Sequence, residues 1–350
     1  ELSIAPLTED IVTLAASASD SILTEQERQE IDMVIVATES GIDQSKAAAV
    51  FVHGLLGIQP FARSFEIKEA CYGATAALHY AKLHVENSPA SKVLVIASDI
   101  AKYGVGTPGE STQGAGSVAM LITQNPRIMA FNNDNVAQTR DIMDFWRPNY
   151  SSTPYVNGMY STQQYLDCLT TTWDEYKKRY DWTMDDFAAI CFHLPYPKLA
   201  LKGLRKMMDK TLSQEKKDSL QENFDKSILY SQMIGNIYTG SLFLGLLSLL
   251  ENAETLKAGD KIALYSYGSG AVSEFFSGEL VEGYEAYLDK ERLSKLKQRT
   301  ALSVADYEKV FFEEVQLDES GSAQFAAYEH QDYALVEIVD HQRRYSKVEK

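Results

Sequence analysis

Three cysteines in 350 residues, Cys71, Cys168 and Cys191, are too few and too scattered for a disulfide framework. No CxxC pair occurs, which argues against a structural zinc site, and no metal is expected. Positive charge is also scarce: 33 basic residues face 49 acidic ones, for a net charge of −16. That balance argues against a nucleic-acid or anionic-membrane surface, though it leaves room for a local basic mouth. Long hydrophobic runs are missing. The longest, Leu242 to Leu250, is too short to span a bilayer and contains Gly245 and Ser248. No signal peptide is visible, and the chain opens on Glu1 rather than Met, so a native start upstream is expected. Together these absences predict a cytoplasmic protein in a reducing compartment. What is present is apolar content of 45%, enough for a large core in two domains or one duplicated domain.

Apolar β-branched runs alternate with helical periodicity. Helices are expected at Asp10–Leu23 and Gln44–Leu56, and strands at Asp32–Thr38, Ala62–Ile67, Lys92–Ala97 and Ser117–Thr123. The second half repeats the theme, with a helix at Tyr160–Tyr180 and a strand at Phe187–Phe192. A helix at Tyr238–Leu250 and a strand at Lys261–Tyr265 follow. Such alternation implies an α/β sheet covered on both faces. Three motifs recur in the same order, which points to duplication. They are the strand before Glu39 and the strand before His193, Cys71-Tyr72-Gly73 and Tyr238-Thr239-Gly240, and Gly114-Ala115-Gly116 and Gly268-Ser269-Gly270. The expected division is 1–130, carrying Glu39 and Cys71, and 131–350, carrying His193. The charged stretch from Leu280 forms a cap, with helices near Tyr284–Lys297 and Val304–Glu314 and a strand at Tyr333–Val339. Its basic end, Arg343, Arg344 and Lys347, reads as a solvated tail.

Cys71 sits where an apolar run gives way to a helix-forming one, among the small residues Ala70, Gly73 and Ala74. A helix N-terminus stabilises a thiolate, which favours a nucleophile over a structural thiol. Cys168 and Cys191 read as buried structural residues. Glu39 ends a buried strand, where open α/β sheets hold ligands; partial burial there would raise its pKa and suit it to proton transfer. A loop or capping acid is the alternative. His193 holds the corresponding position in the second half. The remaining histidines read as structural. Gly268-Ser269-Gly270 forms a tight turn between strands that can aim an N–H at an oxyanion, or is an ordinary hairpin. Asn236 could be a plain N-cap. Lys198 and Lys202 share a helix face, either solvated or facing a phosphate.

Taken in order, Glu39, the Cys71 run, His193-Leu194-Pro195-Tyr196, Gly235-Asn236-Ile237-Tyr238-Thr239-Gly240-Ser241 and Ser266-Tyr267-Gly268-Ser269-Gly270 resemble the 3-hydroxy-3-methylglutaryl-CoA synthases. These are condensing enzymes of the thiolase superfamily, and the bacterial form is the nearest in pattern. The resemblance implies a thiolase-like, duplicated, five-layered αβαβα architecture, a homodimer and a place in the mevalonate route to isoprenoids. It implies acetylation of Cys71 by acetyl-CoA, deprotonation of that acetyl group by Glu39, and attack on acetoacetyl-CoA oriented by His193. Coenzyme A thioesters are then substrates, and no cofactor is implied. Thr112, Ser161, Asn236 and Ser269 resemble the family's substrate contacts, Lys198 and Lys202 its CoA-phosphate contacts, and Tyr103 a pocket residue. Family members also carry a strand and helix ahead of the segment that begins here at Glu1.

Within the superfamily, Glu39 counts against a ketoacyl synthase, and Ser269 in place of a second cysteine counts against a thiolase. A polyketide β-branching synthase acting on a carrier protein is a closer rival, against which Lys198 and Lys202 favour free CoA. A non-catalytic acyl-CoA-binding relative would have no reason to keep Glu39, Cys71 and His193 together.

Overall fold

The structure, a computed structural model, describes residues 1–328 and 330–349. In chain order it comprises α1 (Ile11–Asp20), α2 (Glu25–Glu30), β1 (Ile31–Ala37), α3 (Ala48–Leu55), β2 (Arg63–Ile67), α4 (Gly73–Asn87), β3 (Lys92–Ala101) and β4 (Gly114–Ile122). There follow β5 (Met129–Phe131), β6 (Val136–Thr139), β7 (Phe145–Trp146), β8 (Tyr155–Val156), α5 (Gly158–Tyr180), β9 (Ala189–Phe192), α6 (Pro197–Met207), α7 (Gln214–Ser227) and α8 (Leu229–Ile234). The last elements are α9 (Ser241–Asn252), β10 (Lys261–Gly268), β11 (Val272–Leu280), α10 (Arg292–Lys297), α11 (Val304–Phe312), β12 (Ala323–Gln324), β13 (Tyr333–Val339) and β14 (Gln342–Lys347).

The chain packs as two units. An amino-side unit holds Leu2–Lys68, Gly73–Gln124 and the residues from Thr300 onward; a carboxyl-side unit holds Glu1, Glu69–Tyr72 and Asn125–Arg299. The grouping follows packing rather than chain order, so the segment after Arg299 belongs with the amino-side unit.

In the amino-side unit the sheet order is β2-β1-β3-β4, with β1 parallel to β2 and β3, and β4 antiparallel to β3. Met33 to Ala37 and Val93 to Ala97 are wholly buried, which is why they read as unbroken apolar runs. α1 starts at Asp10, whose carboxylate accepts the N–H groups of Val12 at 2.9 Å and Thr13 at 3.3 Å. Its face of Ile11, Val12, Ala15 and Ala16 packs into one core with Val34, Val36, Leu94 and Ile96. The basic end is not the expected solvated tail. It is β14, hydrogen-bonded to β13. Alternate residues of a strand share a face, so Arg343, Tyr345 and Lys347 all meet the acids of α1. Arg343 and the Tyr345 hydroxyl reach Asp10 Oδ2 at 3.2 and 2.6 Å, and Lys347 reaches Asp20 at 2.7 Å.

In the carboxyl-side unit the order is β5-β11-β10-β9, with β6 also paired to β11. Again a parallel neighbour, β9, flanks a strand, β10, whose other partner, β11, is antiparallel. The two sheets thus share one strand order, β1-β3-β4 in one and β9-β10-β11 in the other. The core is aromatic, built from Tyr165, Trp173, Tyr176, Phe187, Phe192, Tyr265 and Phe275. Three local expectations change. The helix expected from Tyr238 begins as a 3-10 turn, Tyr238–Gly240, before α9. The span Tyr284–Lys297 divides into a 3-10 turn, Tyr284–Tyr287, and α10. The Gly114–Gly116 motif lies inside β4, whereas its counterpart Gly268–Gly270 makes the turn from β10 to β11. Helix α7 escapes sequence periodicity because its buried face, Leu220, Asn223, Phe224 and Ser227, is half polar.

Candidate active site

Cys71 lies two positions ahead of α4, in a turn rather than in the helix itself. Ala70 before it takes a left-handed φ of 40°, a conformation that costs a side-chain-bearing residue about 1–3 kcal/mol. Packing over-determines that turn. The Tyr72 N–H donates to the Glu69 carbonyl at 2.9 Å, and the Tyr72 hydroxyl donates to buried Glu274 on β11 at 2.6 Å. Burial, with the Glu274 charge, holds the Tyr72 phenol well above its usual range, so it stays a donor.

Against this turn lies the end of β10. A Cβ placed on Gly268 would fall 2.6 Å from Tyr72 Cβ and 2.7 Å from both the Glu69 oxygen and the Tyr72 nitrogen. Only a residue without a side chain permits that approach. The following Gly268-Ser269-Gly270 turn is fixed by Asp144, which is fully buried. Asp144 accepts the Tyr267 hydroxyl at 2.6 Å on one oxygen and the Gly270 N–H at 2.9 Å on the other. The turn is therefore no ordinary hairpin: its backbone is aimed by a carboxylate from a distant segment. Gly268→Ala should displace the Cys71 turn, lowering stability by about 1–3 kcal/mol and acyl transfer by about 100-fold. Thermal unfolding and the rate of thiol release by the variant check this; a parent-like rate would mean the two turns move independently.

The other two cysteines are set apart by burial. Cys191, inside β9, has its thiol pushed up to about 12, and the Cys168 thiol on α5 is also raised by burial. Neither is a nucleophile at neutral pH. None of the three cysteines is joined in a disulfide.

His193 follows β9 directly, is 2% exposed and belongs to the same unit as Cys71. Its N–H donates to the Tyr265 carbonyl at 2.7 Å, and its carbonyl accepts the Tyr165 hydroxyl at 2.9 Å. Burial pushes the imidazole down to about 3, so the ring is neutral near physiological pH. Its Nδ1 is buried without a hydrogen-bond partner. A buried polar atom left so is costly in a resting protein and suited to a ligand that completes it.

Glu39 lies in the amino-side unit, in the turn after β1. The anchor of that turn is Asp99 of β3, fully buried, a residue to which the sequence alone assigned no role. One Asp99 oxygen accepts the Thr38 hydroxyl at 2.8 Å, the Glu39 N–H at 2.9 Å, and the Ser40 N–H and hydroxyl at 3.1 and 2.8 Å. Glu39 itself is half-buried. Asp99 lies inside β3, two residues beyond the apolar run Val93–Ala97, and nothing in the sequence marks its partners.

The expected substrate contacts divide between the units. With Cys71 and His193 are Ser161, half-buried in the first turn of α5, Ser269, Asn236, Lys198 and Lys202. The Asn236 side-chain oxygen accepts the Tyr238 N–H at 2.9 Å and the Ser241 hydroxyl at 2.7 Å, so it closes an Asx turn ahead of the 3-10 turn rather than capping α9. Lys198 and Lys202 are exposed on α6, opposite its buried face of Leu199, Ala200, Gly203 and Leu204. With Glu39 are Tyr103 and Thr112, in the connection from β3 to β4. Among the described residues no group of three His, Cys, Asp or Glu is placed to hold a metal ion, and no helix is long and apolar enough to cross a membrane.

Known proteins resemble this chain in sequence and in fold. The family model for the N-terminal part of hydroxymethylglutaryl-coenzyme A synthase matches residues 1–127, and that for its C-terminal part matches residues 135–224 and 205–347. A hydroxymethylglutaryl-CoA synthase of Enterococcus faecalis is 54% identical over 320 residues, which are 91% of this chain and 83% of that protein. A crystal structure of a hydroxymethylglutaryl-CoA synthase complexed with CoA superposes with a TM-score of 0.98 at 67% identity, covering 99% of this chain and 89% of that one. A polyketide-biosynthesis 3-hydroxy-3-methylglutaryl-ACP synthase of Bacillus subtilis is 32% identical over 87% of this chain and 77% of its own length. The chain has the thiolase-like α/β fold and belongs to the hydroxymethylglutaryl-CoA synthase family.

Proposed function

We propose that this protein condenses acetyl-CoA with acetoacetyl-CoA and water to give 3-hydroxy-3-methylglutaryl-CoA and coenzyme A, in the mevalonate route to isoprenoids. The Cys71 thiolate attacks the acetyl thioester carbonyl, and the CoA thiolate leaves with a proton. The new thioester keeps the methyl protons acidic enough to remove, which an oxygen ester would not do as well. Glu39 takes one of them, and the carbanion attacks the C3 ketone of acetoacetyl-CoA. Neutral His193 holds that ketone through a ring N–H, and the alkoxide takes up the proton held by Glu39 as the carbon–carbon bond completes. Water then cleaves the Cys71 thioester and returns the thiol. Backbone N–H groups of Cys71 and Ser269 stabilise the oxyanions. Thr112, Ser161, Asn236, Ser269 and Tyr103 contact the acyl groups, and Lys198 and Lys202 the CoA phosphates.

The observation that carries this reading is the close approach of Gly268 to the Cys71 turn, with buried His193 in the same unit. It supports a nucleophile and oxyanion donors built as one rigid piece. Free CoA as acyl carrier is supported by 54% identity to the CoA-dependent relative against 32% to the one acting on ACP. These steps need no cofactor beyond the thioester substrates and water. The enzyme acts as a homodimer in the cytoplasm, a compartment suited to three cysteines outside any disulfide.

Incubation with acetyl-CoA should leave an acetyl group on Cys71, detected by intact mass and peptide mapping. Acetoacetyl-CoA should then discharge it as a branched six-carbon acyl-CoA. An unmodified Cys71 in folded protein would overturn the covalent route, and a linear product would point to ketoacyl synthase or thiolase chemistry.

A further inference from the structure

Residues 102–113 join β3 to β4 and carry both Tyr103 and Thr112. A single buried amide shapes this connection. Gln113 is 3% exposed, and its Oε1 accepts the N–H groups of Tyr103 at 2.7 Å and Gly104 at 3.1 Å. With two donors on Oε1, the Nε2 end must donate elsewhere. It donates to the hydroxyl of Tyr307, at 2.9 Å, on α11. That hydroxyl donates in turn to Glu110 Oε1 at 3.1 Å, while Glu110 Oε2 accepts the Gly106 N–H at 2.7 Å. Gly104 and Gly106 have left-handed φ values of 110° and 75°, so the chain between them depends on these side-chain anchors. The Tyr103 ring lies over Gly109, where a Cβ would come within 2.9 Å. α11 is further seated by Lys102, whose ammonium donates to the Phe311 carbonyl at 3.5 Å and lies 5.2 Å from the Phe311 ring.

We propose that Tyr307 is a positioning residue: its hydroxyl ties Gln113 to Glu110 and thereby sets where Tyr103 and Thr112 meet the acyl-CoA substrate. The proposal rests on the condensation reading above and names a residue outside the substrate contacts. Tyr307 acts only through the loop. Its hydroxyl uses one acceptor and one donor function, and both go to residues of that loop.

Tyr307→Phe keeps the ring but leaves the Gln113 Nε2 and Glu110 Oε1 without this partner. Amide exchange at Tyr103 and Gly104 should quicken about tenfold, with β3 and β4 unchanged. In turnover, the KM for acetoacetyl-CoA should rise about tenfold with kcat within about twofold, and Cys71 should acetylate at the parent rate. Unchanged exchange at Tyr103 and Gly104 overturns the proposal, as does faster exchange spread through β3 and β4, which would signify general destabilisation. Faster local exchange with an unchanged KM also overturns it, since the loop would then not position substrate. A parent protein that never acetylates Cys71 overturns the condensation reading instead, and the exchange result still decides whether Tyr307 holds the loop.

Discussion

Cys71→Ala should take up no acetyl group from acetyl-CoA and lose at least ~10⁴-fold in turnover, because neither half-reaction proceeds without a covalent acyl carrier. The substitution removes one atom from a half-buried side chain, and the interactions that shape its turn come from neighbours. The Tyr72 hydroxyl on Glu274 and the approach of Gly268 both remain. The variant should therefore unfold within a few degrees of the parent, and intact mass with a thiol-release assay separates lost chemistry from lost fold. Cys168→Ala and Cys191→Ala are the contrast. Those side chains are 1% and 0% exposed with raised thiol pKa values, so their loss should lower stability by cavity formation while Cys71 still acetylates. Turnover of Cys71→Ala within tenfold of the parent would remove the thioester from the mechanism.

Glu39→Ala should acetylate Cys71 normally and then stall, with condensation slowed about 10²–10⁴-fold, the usual contribution of a general base. Here too the structure makes the variant informative. Asp99 grips the Glu39 backbone N–H, together with Thr38 and Ser40, so cutting back the side chain leaves those bonds in place. The acetyl-enzyme should accumulate, visible by mass, and acetoacetyl-CoA should fail to discharge it. Exchange of the acetyl methyl protons with deuterated water should fall in parallel, a readout specific to proton abstraction. Normal discharge would assign the proton transfer to another group. His193 is no candidate for the base's charge change near neutral pH, since burial keeps its ring neutral down to about 3. A depressed histidine pKa also has a stability consequence. The unfolded chain binds this proton below about 6.5 and the folded chain does not, so His193 lowers stability as pH falls from there towards 3.

Much of the candidate site is legible residue by residue. β1 and β9 are short apolar runs, and a polar residue after such a run marks the strand end, so local pattern offers Glu39 and His193 as candidates, while their roles come from the family resemblance. Cys71 stands out in the same way, through its small neighbours and the helical spacing that follows. Asp99 and Asp144 were invisible as anchors because an acid in a sequence carries no sign of what it will accept. Their donors lie in Thr38 to Ser40 and in Tyr267 to Gly270, 59 to 126 residues away. The basic end misled for the same reason. Its charges read as solvated until the pairing of β14 with β13 turned Arg343 and Lys347 onto Asp10 and Asp20.

The sequence by itself placed β1, β2, β3, β4, β9, β10 and β13 and most of the longer helices, and it singled out Cys71, Glu39 and His193 as candidates. Those depend on periodicity and strand ends, which are properties of neighbours along the chain. Only the tertiary structure decided how the Cys71 turn is held, which carboxylates shape the flanking turns, and that Tyr307, 194 residues from Gln113, closes the loop carrying Tyr103 and Thr112. Buried polar groups must find hydrogen-bond partners and packed backbones tolerate no extra atom, and both conditions are met through space rather than along the chain.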